Sequence, residues 1–221
     1  MLNRYLVLTF ILLLVGCPQP AQEVTTSSNT SAEGVMDAEA GALPELPTHW
    51  INDQPIGNGA GPVTQSQLAD GLSDTKNWLL YGGDYKNHRH SPITDLNPDT
   101  VKNLEVAWAF PTGTLGQFEV SPTIYDGIMY VSSSYNRLFA LNPETGDLYW
   151  RYDHQYPEDL RLCCGPVNRG VAIAGDLVMM ATLDSKLIAF NRLTGAIAWE
   201  TVIAPYDQGF SATSMPLIVG D

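Results

Sequence analysis

The chain has 221 residues, 44% hydrophobic and 16% charged, a composition that can bury a core and excludes a disordered polyelectrolyte or a coiled coil. Its 19 glycines and 15 prolines punctuate short apolar runs, which favours an all-β fold over a helix bundle. With 11 Lys and Arg against 24 Asp and Glu, the formal charge of −13 offers no basic face to neutralise phosphates and argues against nucleic acid as a partner.

Residues 1–16 carry one basic side chain, Arg4, and an apolar run over 6–15 that has signal-peptide length and is too short to span a bilayer. The run closes on Leu14-Val15-Gly16-Cys17, which is similar to a bacterial lipobox. That likeness implies export, cleavage before Cys17 and lipidation of the cysteine; an ordinary export signal with an incidental cysteine is the alternative. Pro18 in place of Asp after the cysteine resembles lipoproteins sorted to the outer membrane, which would be the expected location. Residues 18–75 are rich in Ser, Thr, Ala, Gly, Gln and Pro without sustained periodicity, and are predicted to be a disordered tether. The fold is then expected over 76–221. Asp70 and Asp74, with Ser73 and Thr75, are oxygen-rich but read as an acidic solvated loop rather than a cation site. Gly82-Gly83 reads as a turn. His88 and His90 lack a third ligand nearby and read as surface or capping residues.

Two segments share one register 49 residues apart: Ala140-Leu-Asn-Pro-Glu-Thr-Gly-Asp-Leu-Tyr-Trp150 and Ala189-Phe-Asn-Arg-Leu-Thr-Gly-Ala-Ile-Ala-Trp199. A looser copy is Leu96-Asn-Pro-Asp-Thr100 followed by Trp108. Ahead of each full copy lies a short apolar strand, a turn at Asp126-Gly127 or Gly175-Asp176, and strands over 128–132 or 177–182. Further strands follow over 137–141 or 186–191, then a turn ending at Gly146 or Gly195, then a strand through the tryptophan. Four short strands at this period are the signature of a β-propeller blade. In each repeat the glycine suits positive φ, and the Asn can bond turn backbone. Trp150 and Trp199 read as plugs between neighbouring blades whose indole N–H finds a carbonyl. Residues 216–221 repeat the opening strand and turn. The expectation is therefore a truncated propeller, about two blades and the start of a third, with exposed strand edges that cannot close a ring.

With Cys17 assigned to lipid, Cys163 and Cys164 remain, adjacent, in an oxidising compartment. They are either a vicinal disulfide or two free thiols. Adjacent Cα atoms lie about 3.8 Å apart, below the usual disulfide range, so such a ring would be strained, and strain of that kind accompanies function.

Trp78-Leu-Leu-Tyr-Gly-Gly-Asp84, His90-Ser-Pro92, Val101-Lys-Asn-Leu104 with Ala107-Trp108, Cys163-Cys-Gly-Pro-Val-Asn-Arg-Gly170 and the tryptophan repeats together resemble the N-terminal part of the pyrroloquinoline-quinone (PQQ) alcohol dehydrogenases, over about 77–221. The resemblance implies an eight-bladed propeller with PQQ flat near its axis against a vicinal disulfide ring. PQQ is a planar, tricarboxylated ortho-quinone, so its site needs flat apolar faces and cationic or hydrogen-bonding partners. By motif match, Cys163 and Cys164 would form the disulfide face and Arg169 would bind a cofactor oxygen or carboxylate. Glu119, in Gln117-Phe-Glu-Val-Ser-Pro122, stands where the family has a glutamate touching PQQ, and beside a carboxylate it needs a proton or a donor. Thr213 falls where the family often has Thr-Gly-Ala-Pro, but Ser214 and Met215 replace the small residues here.

The catalytic base and the ligands for calcium or a lanthanide would lie beyond this chain, which supplies neither a catalytic nor a metal-binding residue. The implied activity is oxidation of an alcohol, or a related polyol or sugar, by hydride transfer to PQQ with metal assistance. A periplasmic cytochrome c or membrane quinone would be the acceptor, and the lipid anchor would hold the protein at the membrane. The alternatives are a non-enzymatic propeller lipoprotein serving as an assembly scaffold, which does not need Cys163-Cys164 with Arg169, and an inert or cofactor-sequestering truncated product.

Overall fold

The computed structural model describes residues 56–220. The expected export signal, Cys17 and residues 18–55 of the expected tether lie outside these residues. The expected all-β architecture is present as two four-stranded antiparallel meanders, β1-β2-β3-β4 and β5-β6-β7-β8. The first is built from β1 (Thr123–Tyr125), β2 (Ile128–Ser133), β3 (Arg137–Leu141) and β4 (Leu148–Asp153). The second is built from β5 (Ala172–Ala174), β6 (Leu177–Ala181), β7 (Lys186–Asn191) and β8 (Ile197–Val202). Each sheet is one blade.

Turn chemistry sets the register. Asp126 and Gly127 both have positive φ, 55° and 70°, the conformation that a two-residue hairpin with native twist requires. Asn142 Oδ1 accepts from Glu144 N at 2.8 Å and Asn191 Oδ1 from Leu193 N at 3.0 Å, so the shared asparagine does cap its turn. Asn97 in the looser copy does the same for Asp99 N at 3.0 Å. The ladder shifts at Ala140/Leu141 in one blade and Ala189/Phe190 in the other, so the repeat extends to its irregularities.

The tryptophans join one repeat to the next. Trp150 on β4 donates its indole N–H to the Arg192 carbonyl at 3.1 Å and lies under Gly195, where a Cβ would come within 2.7 Å of the ring. Trp108 makes the same bond, 3.1 Å, to the Pro143 carbonyl and lies under Gly146. Both glycines have positive φ, so each serves the turn and clears the ring. The main core cluster draws on both sheets, with Tyr130, Leu138 and Trp150 packed against Val178, Ile188 and Phe190. Trp199 has no such neighbour among the described residues and is 40% exposed, and all six residues of β8 are exposed.

Residues 56–75, assigned to the tether on composition, are folded. Thr64 and Gln67 form a capping box for α1 (Gln65–Asp70), Leu68 is buried, and Val63 exchanges backbone hydrogen bonds of 2.9 and 2.8 Å with Gly175. A few single anchors and side-chain caps replace the apolar periodicity that the composition lacks. The strand expected from 216 does not form among the described residues: with no partner strand beside it, the segment is held by Tyr85, whose hydroxyl donates to the Ile218 carbonyl at 2.6 Å, and by Gln65 on Gly220 N at 3.1 Å.

Candidate cofactor site

Three irregular segments meet beside the blades: the approach to β1, the β4–β5 connection and the stretch after β8. Backbone bonds join them, Ser121 N to the Arg169 carbonyl at 3.1 Å and Arg169 N to the Thr213 carbonyl at 3.0 Å. Gly170 permits this approach, because at φ 131° a Cβ there would meet the Ser121 carbonyl at 2.9 Å.

Between the segments lies a cavity of about 780 Å³, within the range of small-molecule sites. Its lining includes Glu119, Cys163, Cys164, Arg169 and Thr213, so all five residues singled out in the sequence converge on one cavity, together with Arg161. Arg169 organises them: Nη2 pairs with Glu119 Oε2 at 2.8 Å and Nη1 donates to Thr213 Oγ1 at 2.7 Å. Met215 does not line the cavity; it lies beside Gly170, whose Cβ would sit 3.6 Å from its sulfur, so the larger side chain leaves Thr213 in place. Cys163 and Cys164 are exposed free thiols in this structure, without the expected disulfide. The hydrogen bond and charge of Cys163 push the Cys164 thiol above its ordinary pKa.

A buried network behind this site joins the end of β4 to the β6–β7 turn. His154 Nε2 lies 2.8 Å from Asp184 Oδ1, which also accepts from Thr182 Oγ1 at 2.6 Å, and His154 Nδ1 lies 2.9 Å from the Tyr152 hydroxyl. Burial pushes the Asp184 pKa up, but the hydrogen bonds from His154 and Thr182 and the nearby positive charge outweigh it, leaving the carboxyl below its ordinary value. The same turn carries the pocket wall: the Thr182 carbonyl accepts from Ala212 N at 3.2 Å, and the Ala181 carbonyl from Asn168 Nδ2 at 3.0 Å.

Arg161, the His154–Asp184 pair and Arg192 emerge only from the fold. Arg192 is buried and bonds Asp126 and Asp176, each at 3.2 Å, and the Ala60 carbonyl at 2.6 Å. The one available signal for Arg192 is a difference between repeats, since the matching position is Pro143. Asp74 caps a turn through Lys76 N and Asn77 Nδ2, and His88 pairs with Asp84, in agreement with their loop and capping readings. Among the described residues no group of three or more His, Cys, Asp or Glu could hold a metal ion.

The family model for the β-propeller domain of PQQ glucose/ethanol/alcohol dehydrogenases matches residues 78–200. The chain belongs to this quinoprotein family. It is 42% identical over 154 residues to the quinoprotein alcohol dehydrogenase PedH of Pseudomonas putida, covering 67% of this chain and 26% of that protein. Identity is 38% over 190 residues to the 1-butanol dehydrogenase (quinone) of Thauera butanivorans, covering 85% and 29%. Among solved structures, a europium-containing methanol dehydrogenase superposes with a TM-score of 0.66 at 30% identity, over 71% of this chain and 28% of that one. The quinoprotein chain thus spans under a third of the length of these relatives. The family match takes in Glu119, both cysteines and Arg169; Thr213 lies past its end.

Proposed function

We propose that this chain is the N-terminal portion of an exported, lipid-anchored PQQ-dependent alcohol dehydrogenase, held at the outer membrane through Cys17. The observation that carries the reading is the convergence of Glu119, Cys163, Cys164, Arg169 and Thr213 on one cavity. The donor set fits the cofactor. Two guanidiniums and a hydroxyl suit a planar acid rich in carboxylates, two sulfurs offer a polarizable face, and the volume admits a tricyclic ring system.

Arg169 would hold a cofactor carboxylate or carbonyl oxygen, oriented by Glu119 and Thr213, which already fix two of its nitrogens. Thr213 Oγ1 accepts from Arg169 and so keeps its own proton to donate to the ligand. Thiol–disulfide exchange with a periplasmic disulfide oxidoreductase, which is reduced to its dithiol as it takes up two electrons and two protons, would convert Cys163 and Cys164 to a vicinal disulfide, the flat face against which the ring would lie. When bound, PQQ would supply the hydride acceptor for an alcohol, and a calcium or lanthanide ion would supply Lewis acidity. The metal ligands and the general base would come from residues further along the protein. Electrons would pass on to a cytochrome c or a membrane quinone.

The test is dye-linked alcohol oxidation by the protein expressed from its complete reading frame, reconstituted with PQQ and either calcium or a lanthanide. Wild type is expected to turn over primary alcohols, and Cys163→Ala or Cys164→Ala to lose that activity while export is kept. Normal turnover by the double variant overturns the cofactor-face assignment. Absence of PQQ binding by the wild type favours the scaffold reading.

A further inference from the structure

We propose that Arg161 is a second anchor for the cofactor, clamping a carboxylate at the cavity wall; this rests on the PQQ reading above. The chain carries −13 overall, a field that repels a polyanionic ligand, so the cavity needs local positive charge to hold one. Of the charged side chains on its wall, Arg169 and Glu119 are paired at 2.8 Å and cancel. Arg169 alone therefore supplies hydrogen bonds but little net attraction.

Arg161 is the charge left over. It lines the same cavity two residues ahead of Cys163, and it makes no hydrogen bond or ion pair with any of the described residues. The cationic side chains of the blades are paired, by contrast: Arg192 bonds Asp126 and Asp176, Arg137 and Arg151 lie against Asp153, and Lys186 bonds Glu200. Such an exposed guanidinium presents a planar fork to a carboxylate without first breaking a contact with the described residues, and a lysine there would offer only a point charge. Arg161 thus binds through a carboxylate, while Arg169, Thr213 and the sulfurs set the plane of the ring.

The experiment is a titration of the complete-reading-frame protein with PQQ, followed by the cofactor's absorbance, in wild type, Arg161→Lys and Arg161→Gln. The trimethyl ester of PQQ serves as the uncharged probe. Losing a charge-assisted hydrogen bond is expected to raise the Kd for PQQ about tenfold or more in Arg161→Gln, with Arg161→Lys between it and wild type. The ester is expected to bind all three proteins alike. Since Arg161 is exposed, circular dichroism should be unchanged; should the glutamine variant fail to fold, wild type against lysine with both probes carries the same comparison. Equal PQQ affinity in wild type and variants overturns the Arg161 assignment and leaves the cofactor reading standing. A loss that persists with the ester also overturns it, because the contact is then not to a carboxylate. No PQQ binding by the wild type overturns both.

Discussion

Replacing Gly195 by alanine tests the docking of one blade on the next. The new Cβ would stand 2.7 Å from Cδ2 and Cε3 of Trp150, inside van der Waals contact, on a backbone with φ of 70°. The left-handed conformation costs a non-glycine residue about 1 kcal/mol. Overpacking against a buried ring adds roughly 1–3 kcal/mol, and displacing Trp150 weakens its 3.1 Å bond to the Arg192 carbonyl, worth about 1 kcal/mol. The sum is about 4 kcal/mol, a large share of the roughly 5–15 kcal/mol that stabilises a domain. Gly175→Ala is the internal control, because φ there is 58° but nothing lies within 4 Å, leaving only the backbone cost of about 1 kcal/mol. Urea unfolding followed by tryptophan fluorescence reads both, with m-values checked for constancy. In a Trp150→Leu background the cost of Gly195→Ala should fall toward the control value. Equal costs for Gly195→Ala and Gly175→Ala would refute the docking mechanism.

Other expectations are more compact. Arg192→Met leaves the carboxylate of Asp126 buried without its cation and should destabilise the chain by about 3 kcal/mol in the same assay. Asp184 has a folded pKa below its unfolded value, so its contribution is present above the unfolded pKa and is lost as pH falls through the folded one. Asp184→Asn should therefore flatten the decline of the urea midpoint on the acid side of about pH 4. Thr64→Ala removes the cap of α1 and should speed amide exchange there, equivalent to about 1 kcal/mol of local stability, with little effect on the blades. Thr213→Val deprives Arg169 Nη1 of its 2.7 Å partner and should weaken PQQ binding in an absorbance titration without shifting stability, read from the urea midpoint, by more than about 1 kcal/mol.

The strands were legible because their determinants are local and recur. The 49-residue offset aligned Asn142 with Asn191 and Gly146 with Gly195, and each pair performs one task in both blades. What escaped was long-range. Arg192 takes partners at positions 60, 126 and 176, and no periodicity encodes a guanidinium reaching across 132 residues. The folded stretch at 56–75 was hidden for a related reason, since Val63 and Leu68 are lone apolar residues whose neighbours are polar caps. At the candidate site, Cys163, Cys164 and Arg169 lie in one contiguous motif, whereas Glu119 and Thr213 stand in separate segments that only the fold brings to Arg169. His154 and Asp184 are 30 residues apart and belong to no recognisable pattern, so nothing short of the fold could pair them.

The clamp on Arg169 has a mechanical side. Glu119 precedes the first blade and Thr213 follows the second, so two bonds of 2.8 and 2.7 Å to a single guanidinium straddle the seam between sheets. Hydrogen bonds fail within about half an ångström of stretch, so a slight slip of one sheet along the other would break either bond while the strands stayed intact. The cavity is in this sense a vernier for blade alignment: its clamp on Arg169 should register a shift of one sheet against the other well before any spectroscopic sign of unfolding.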